Sequence, residues 1–270
     1  MKIKSNLHVR NYSGVRVRKT GVEKPQETMQ ITEYTVIKQL EENNVAIALL
    51  ADMHGKSFET VSNYIKHHKP DYIAIVGDII AHDNDKYPFN FFEFCAKTTL
   101  TFFSLGNHER KISENQLSAI KNTGVVVLDN TWFKSGTLVF GGMTSAFVTE
   151  WRNTRQTVLR YANPDCYWLD EYVKQDGFHI LLDHHPENYE RITKKKNIDL
   201  ILSGHAHGGQ IRVFNQGLYA PHQGILPKYT SGVYDNRLIV SRGLANLNHI
   251  PRIGNPTELV YVRIQNGTAL

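Results

Sequence analysis

Val45-Ala46-Ile47-Ala48-Leu49-Leu50-Ala51-Asp52-Met53-His54 is the stretch from which the rest of the chain can be read. Val45 to Ala51 is its longest unbroken apolar run, far short of the 18 or more residues a bilayer span needs. It reads as one buried strand with two polar residues placed where the strand stops. Downstream, strands are expected at 72–76 and 101–105, separated by helices near 57–68 and 89–97. Ser113 opens a third helix, with Gln116 completing a capping box, and Gly124 closes it. Stretches 125–128 and 138–140 read as further strands, and 144–177 is an irregular aromatic region. The alternation resumes with a strand at 178–182, a helix near 187–195 and a strand at 198–202. A β-rich end follows, with a turn at Asp235-Asn236 and a strand at 259–264. This is an α/β pattern with no internal domain boundary.

Composition sets limits around that reading. A chain of 270 residues makes one large domain or two small ones. With 41% hydrophobic and 21% charged residues and a mean hydropathy of −0.38, it is expected to be a soluble globular protein. The N-terminus lacks the apolar core of a signal peptide. Cys95 and Cys166 form no C-x-x-C, which argues against a disulfide framework or thiolate zinc site and for a reducing, cytoplasmic setting. Thirteen histidines hint at metal chemistry.

The net charge of +5 has a local origin. Lys2, Lys4, Arg10, Arg16, Arg18 and Lys19 fall in residues 1–22, which hold no acidic residue, so the remainder is close to neutral. Leu7, Val9, Val15 and Val17, broken by Ser13-Gly14, suggest an edge hairpin, followed by a polar linker over 21–27. The expected division is therefore a basic arm and linker over 1–34 and a single domain over 35–270. The arm reads first as a solvated, charged edge, with peripheral contact to an anionic membrane surface as the alternative. A near-neutral body makes nucleic acid an unexpected partner.

Five polar clusters end the predicted strands: Asp52-Met53-His54, Gly77-Asp78, Gly106-Asn107-His108-Glu109, His184-His185-Pro186 and Gly204-His205-Ala206-His207. In open α/β sheets ligands bind outside the carboxyl ends of the strands, so clusters distant in sequence can converge on one pocket. Carboxylates, imidazoles and one amide oxygen suit borderline-hard divalent ions, and no thiolate competes. The period of two in Asp52-x-His54 would aim both side chains the same way. Asp78 could bridge two ions, with Asn107, His184 and His205 completing the second position. Each cluster alone is more often a turn; the five in this order, each after a strand, are not.

This order of D-x-H, G-D, G-N-H-E, H and G-H-x-H resembles the calcineurin-like metallophosphoesterase superfamily from about Thr35 to Arg263. Segments 204–210, 219–224 and 227–234 are similar to a bacterial branch of UDP-2,3-diacylglucosamine pyrophosphatase-like and cell-wall-associated phosphoesterases. The resemblance implies two stacked mixed β-sheets flanked by α-helices, a four-layer α/β/β/α domain. It implies that Asp52, His54, Asp78 and His207 bind one metal ion and Asp78, Asn107, His184 and His205 the other. His108 would be catalytic, not a ligand. The expected cofactors are two divalent ions per chain, manganese first, with iron, zinc, cobalt or nickel as alternatives. A hydroxide bridging the ions would hydrolyse a phosphodiester or pyrophosphate bond of a small or lipid-linked substrate. Many relatives carry a hydrophobic anchor or export signal ahead of this domain; the basic arm stands there instead, so neither insertion nor export is expected. A non-catalytic metal-binding scaffold and a nuclease using the same site are the competing functions. A serine or cysteine hydrolase is disfavoured, because no G-x-S-x-G elbow occurs and neither cysteine has a nearby histidine motif.

Several residues carry two readings. Asp183 either orients an imidazole or caps a turn. Tyr229 and His222 line the substrate pocket or pack a turn, Arg110 holds a substrate phosphate or is solvated, and His185 supports a ligand. Trp132, Trp151, Trp168, Tyr161, Tyr167 and Tyr172 form a core cluster or an apolar wall for a substrate. Lys194-Lys195-Lys196 should complement a helix dipole. His67, His68 and His82 read as background and Cys95 as a buried helix residue.

Overall fold

The structure is a computed structural model and describes residues 15–23, 29–38, 44–80, 88–151, 157–161, 164–246 and 251–267. It opens with strands Arg16–Glu23 (β1), Met29–Lys38 (β2) and Val45–Leu50 (β3). Helix Glu59–His68 (α1), strand Tyr72–Val76 (β4), helix Phe89–Thr98 (α2), strand Leu100–Ser104 (β5), helix Glu114–Asn122 (α3) and strand Val126–Leu128 (β6) then alternate. Strands Thr131–Ser135 (β7) and Leu138–Met143 (β8) form a hairpin, and Phe147–Trp151 (β9) pairs with Thr157–Tyr161 (β10). A short helix, Trp168–Tyr172 (α4), precedes strands Phe178–Asp183 (β11) and Leu200–Ser203 (β12). Two small ribbons follow, Arg212–Val213 (β13) with Gln216–Gly217 (β14) and Tyr219–Ala220 (β15) with Gly224–Ile225 (β16). Strands Gly232–Tyr234 (β17), Leu238–Val240 (β18) and Thr257–Asn266 (β19) complete the chain.

Two mixed sheets stack face to face. One has the order β1-β2-β19-β3-β4-β5-β6, the other β17-β18-β12-β11-β8-β7. The uninterrupted apolar character of β3 follows from its being covered on both sides. Ile47 and Leu49 point between the sheets, into a core with Phe140, Ile180 and Leu202. Ala48 and Leu50 point the other way, against Val61 and Ile65 of α1 and Phe91 and Cys95 of α2. The outer face of the second sheet, through Leu181 and Ile201, packs on Leu169 and Tyr172 of α4 and on Tyr189. The layers are therefore helix, sheet, sheet and helix, as the resemblance implies.

Local sequence explains the element ends. Ser113 Oγ accepts the N–H of Gln116 at 3.3 Å while Gln116 Oε1 accepts the N–H of Ser113 at 2.8 Å, a closed capping box. Asp235 and Asn236 take φ of 49° and 53°, and the resulting tight turn joins β17 to β18.

Three sequence expectations change. The division between 34 and 35 falls inside β2, which pairs in parallel with β19 while β1 runs along its other edge. The reason is burial: Met29, Ile31, Tyr34 and Val36 reach the two cores, although a polar stretch precedes them. β1 is an edge strand, but its partner is β2; Leu7, Val9 and Ser13-Gly14 lie outside the described residues. The expected helix over 187–195 is only a π-helical turn, Tyr189–Thr193, closed by the N–H of Lys194 on the Tyr189 carbonyl at 2.8 Å. With no helix there to complement, Lys194 pairs with Glu190 and Asp235, and Lys196 with Asp170.

Candidate metal centre

All five polar clusters sit immediately beyond strand ends: after β3, β4 and β5 of the first sheet and after β11 and β12 of the second. Because the sheets face each other, the two sets of loops meet. Within each set, backbone hydrogen bonds tie neighbouring loops: Asp52 N–H to Gly77 O at 3.2 Å and His54 N–H to Asp78 O at 3.0 Å on the first sheet, and Gly204 N–H to His184 O at 3.2 Å on the second. The motif glycines are there for close approach. A Cβ on Gly106 would lie 2.4 Å from Asp78 Oδ1, and one on Gly204 would lie 2.7 Å from Asp52 Oδ2.

The structure brings Asp52, His54, Asp78, Asn107, His108, His184, His205 and His207 into one place. Donor atoms of Asp52, His54 and His207 lie within 4.8 Å of one another, as do those of Asp78, His184 and His205, and of His54, Asp78 and His108. His54 Nε2 faces His207 Nε2 at 3.2 Å, and His207 Nε2 is 3.4 Å from Asp52 Oδ1. His184 Nε2 lies 3.2 Å from both Asp78 Oδ2 and Asn107 Oδ1. Backbone groups orient these donors. His184 Nδ1 donates to Val76 O at 2.8 Å, leaving Nε2 for the centre. The N–H of His205 donates to the Asp52 carboxylate at 3.1 Å and that of His108 to Asp78 Oδ1 at 2.8 Å. Asp52, His54, Asp78, His205 and His207 take φ of 55°, 49°, 55°, 64° and 45°, the left-handed region, so turns and not the strand pleat make Asp52 and His54 converge.

Burial dominates the electrostatics. It drives the imidazoles of His54, His205 and His207 below their ordinary value, His54 to about 4, so they are neutral donors at pH 7. Burial, with Asp78 nearby, pushes the Asp52 carboxyl up to about 7. Burial acts in the same direction on Asp78, but the charges of His184, His108 and His54 outweigh it and hold that carboxyl well below the usual range. His184, flanked by both carboxylates, rises to about 10 despite burial. Buried imidazole nitrogens facing one another and two carboxylates match what divalent cations need. His54 Nδ1 is also buried with no hydrogen-bond partner among the described residues.

The remaining residues named from sequence divide. Asp183 Oδ1 accepts from the N–H of His185 at 3.2 Å and from Asn188 Nδ2 at 3.0 Å, so it caps the turn after β11. Tyr229 is buried, and its hydroxyl donates to Glu190 Oε1 at 2.7 Å, which makes it turn packing. Arg110 Nη1 bonds the Asn107 carbonyl at 3.0 Å. His222 does join the site, with Nδ1 2.9 Å from His205 Nε2, and His185 is buried against Glu187. Trp132 stacks on Trp168, which tilts against Tyr172 in the core on the outer face of the second sheet, whereas Tyr167 is exposed. The side chains of Trp151 and Tyr161, and His82, lie outside the described residues. Cys95 is buried in α2, and His68 stacks on Tyr64.

Two residues without a role assigned from the sequence contribute as well: Glu109, the last residue of the G-N-H-E motif, and Arg252, which lies in no motif. Glu109 is buried and accepts four backbone N–H groups, from Gly106 at 2.8 Å, Asp78 at 2.9 Å, Ile79 at 2.9 Å and Ile80 at 3.2 Å. It thereby ties the Gly77-Asp78 loop to the Gly106-Asn107 loop. Arg252 Nη2 lies 3.1 Å from His207 Nδ1 and also donates to the Ala245 carbonyl, while its Nε and Nη1 are buried without a hydrogen-bond partner among the described residues.

Comparison with known proteins places these features in a family. Residues 45–209 match the model of the calcineurin-like phosphoesterase family. An uncharacterised metallophosphoesterase of Campylobacter jejuni is 28% identical over 240 residues, covering 82% of this chain and 59% of that protein. Bacillus subtilis YpbG is 28% identical over 230 residues, 82% of this chain and 81% of that protein. The phosphodiesterase YaeI of Escherichia coli is 26% identical over 226 residues, 74% of this chain and 75% of that protein. The chain thus spans about three-fifths of the length of the Campylobacter relative and of its Helicobacter pylori counterparts.

Proposed function

The chain belongs to the calcineurin-like phosphoesterase family, whose members bind divalent metals, and from that premise we propose that it hydrolyses a phosphodiester or pyrophosphate bond in a small-molecule or lipid-linked substrate. The observation that carries this reading is the convergence of eight chemically typed residues between the facing strand ends of two sheets. Asp52, His54, Asp78 and His207 would hold one ion and Asp78, Asn107, His184 and His205 the other, manganese being the first candidate. Such ions, when bound, supply a nucleophile of lowered pKa and positive charge for the phosphoryl oxygens.

The chain's own groups do the rest. Val76 O, the N–H of His205 and the N–H of His108 hold His184, Asp52 and Asp78 in orientation, as second-layer partners do in metal sites. His108 packs edge-on against His54, with ring centres 4.4 Å apart and Nε2 3.7 Å from Asp78 Oδ2. It would donate a proton to the leaving oxygen, a role worth about 10²–10⁴-fold. Burial pushes the Arg252 guanidinium down to about 10, which leaves it charged at neutral pH. Its two unpartnered nitrogens would grip a substrate phosphate as a planar fork.

Segments 204–210, 219–224 and 227–234, similar to the UDP-2,3-diacylglucosamine pyrophosphatase-like branch, favour a nucleotide-linked lipid as substrate. Arg16, Arg18 and Lys19 are exposed on the edge strand β1 and would meet an anionic membrane surface from the cytoplasmic side. Among the described residues no helix is long and apolar enough to cross a membrane. The test is a panel assay with added manganese on bis-p-nitrophenyl phosphate, a phosphomonoester, UDP-diacylglucosamine and oligonucleotides. Turnover of the diester or pyrophosphate, abolished by a chelator and restored by manganese, is the expected result. Inactivity on every substrate with metal bound would overturn the reading in favour of a binding scaffold.

A further inference from the structure

Next to the proposed two-ion centre lies a second group of ligand-type side chains, of which the hydrolase reading, on which this inference rests, uses only His205. His185 and Glu187 come from the turn after β11, His205 from the loop after β12, and His222 from the turn between β15 and β16. Three separate chain segments thus deliver three imidazoles and a carboxylate whose donor atoms all lie within 4.8 Å of one another. His185 Nδ1 is 3.0 Å from Glu187 Oε1, His222 Nδ1 is 3.5 Å from the same oxygen, and His205 Nε2 is 2.9 Å from His222 Nδ1.

We propose that His185, Glu187, His205 and His222 form a third divalent-cation site, of the zinc type, beside the two-ion centre. Tetrahedral coordination with bonds of about 2.0–2.1 Å separates neighbouring donors by roughly 3.3–3.4 Å. The three separations above bracket that value. Nitrogen and carboxylate donors without thiolate are also a zinc-compatible set. Glu187 supplies independent support: its Oε2 is buried with no hydrogen-bond partner among the described residues. A carboxylate oxygen in that state is costly unless a cation compensates it. Access exists as well, because the His222 side chain is about one-third exposed while His185 and His205 are buried. The cation would tie the β15–β16 turn to the turn after β11, and through His205 it would abut the second ion position.

The site is tested by counting ions, whether or not a phosphoester is cleaved. The full chain is saturated with zinc, desalted and analysed for metal per protein, beside His222→Asn and Glu187→Gln. Residue 222 has φ of 60°, which asparagine accepts, so His222→Asn keeps the test open should Glu187→Gln misfold. Three equivalents in the parent and two in each variant is the expected result, with loss of the tetrahedral cobalt absorption in cobalt-substituted variants. A parent that binds one equivalent, lost in both variants, would keep this site and remove the two-ion centre instead. Equal zinc content in parent and variants overturns the proposal and leaves a hydrogen-bonded cluster. Loss of all three ions from a variant with an unchanged circular dichroism spectrum overturns it too, because the four residues would then belong to one indivisible centre.

Discussion

Glu109→Gln isolates the contribution of one buried carboxylate to the architecture of the centre. In the folded chain each of its oxygens takes two backbone N–H groups: Oε2 those of Asp78 and Gly106, Oε1 those of Ile79 and Ile80. Glutamine keeps one acceptor oxygen and replaces the other with an NH₂ group, which cannot accept. Two buried N–H groups then lose their partner and face another donor. At about 1–3 kcal/mol for each unsatisfied buried group, the substitution should cost roughly 2–6 kcal/mol. For a protein of this size 1 kcal/mol shifts Tm by about 2–4 °C, so a fall between roughly 4 and 24 °C is expected in a thermal melt. Manganese affinity should fall with it, because the loops carrying Asp78 and Asn107 lose their shared anchor. A melt within 2 °C of the parent, with unchanged metal affinity, would refute the idea that Glu109 joins the two loops.

His108→Ala should keep its metal content while turnover drops about 10²–10⁴-fold, checked by metal analysis beside a diester assay. Arg252→Ala should raise KM more than it lowers kcat, and an unchanged KM would remove Arg252 from phosphate binding. Asp183→Asn tests a buried charge through pH. Burial raises the Asp183 carboxyl from 3.8 to about 7, so the folded state holds its proton more tightly than the unfolded one. Its stabilising effect is therefore complete below about pH 4 and is lost as pH rises through 7, at up to about 1.4 kcal/mol per pH unit. Asparagine keeps the oxygen that accepts from His185 and Asn188, so urea melts in chelator should show the variant gaining on the parent between pH 4 and 8.

The legible part of this molecule is the part in which a chemically typed residue follows a strand. Asp52, Asp78, Asn107, His184 and His205 each stand one to three residues beyond an apolar run, and the sheets carry them together. Interactions that depend on distance in space leave no such trace. Arg252 is 45 residues from His207, which it touches, in a segment without a motif. Glu187 is indistinguishable in sequence from any polar residue opening a helix, and the helix itself shrinks to one π-helical turn. The arm suffers the same fate: β2 is held by β19 from the far end of the chain, a pairing that no local pattern of charge or hydropathy announces.

Five of the residues at the centre hold a backbone conformation that costs ordinary residues about 1–2 kcal/mol each and glycine almost nothing. The functional loops thus carry backbone strain, as Phe214 and Leu226 do in the ribbons beside them, and part of that strain could be relieved only by giving up what the fold is for. Selection for thermostability alone, in a directed-evolution experiment that never assays turnover, would drift toward glycine at His54, His205 and His207, whereas Asp52 and Asp78 each accept a backbone N–H that glycine would leave unsatisfied. The outcome would be a more stable protein that had lost its donors one by one.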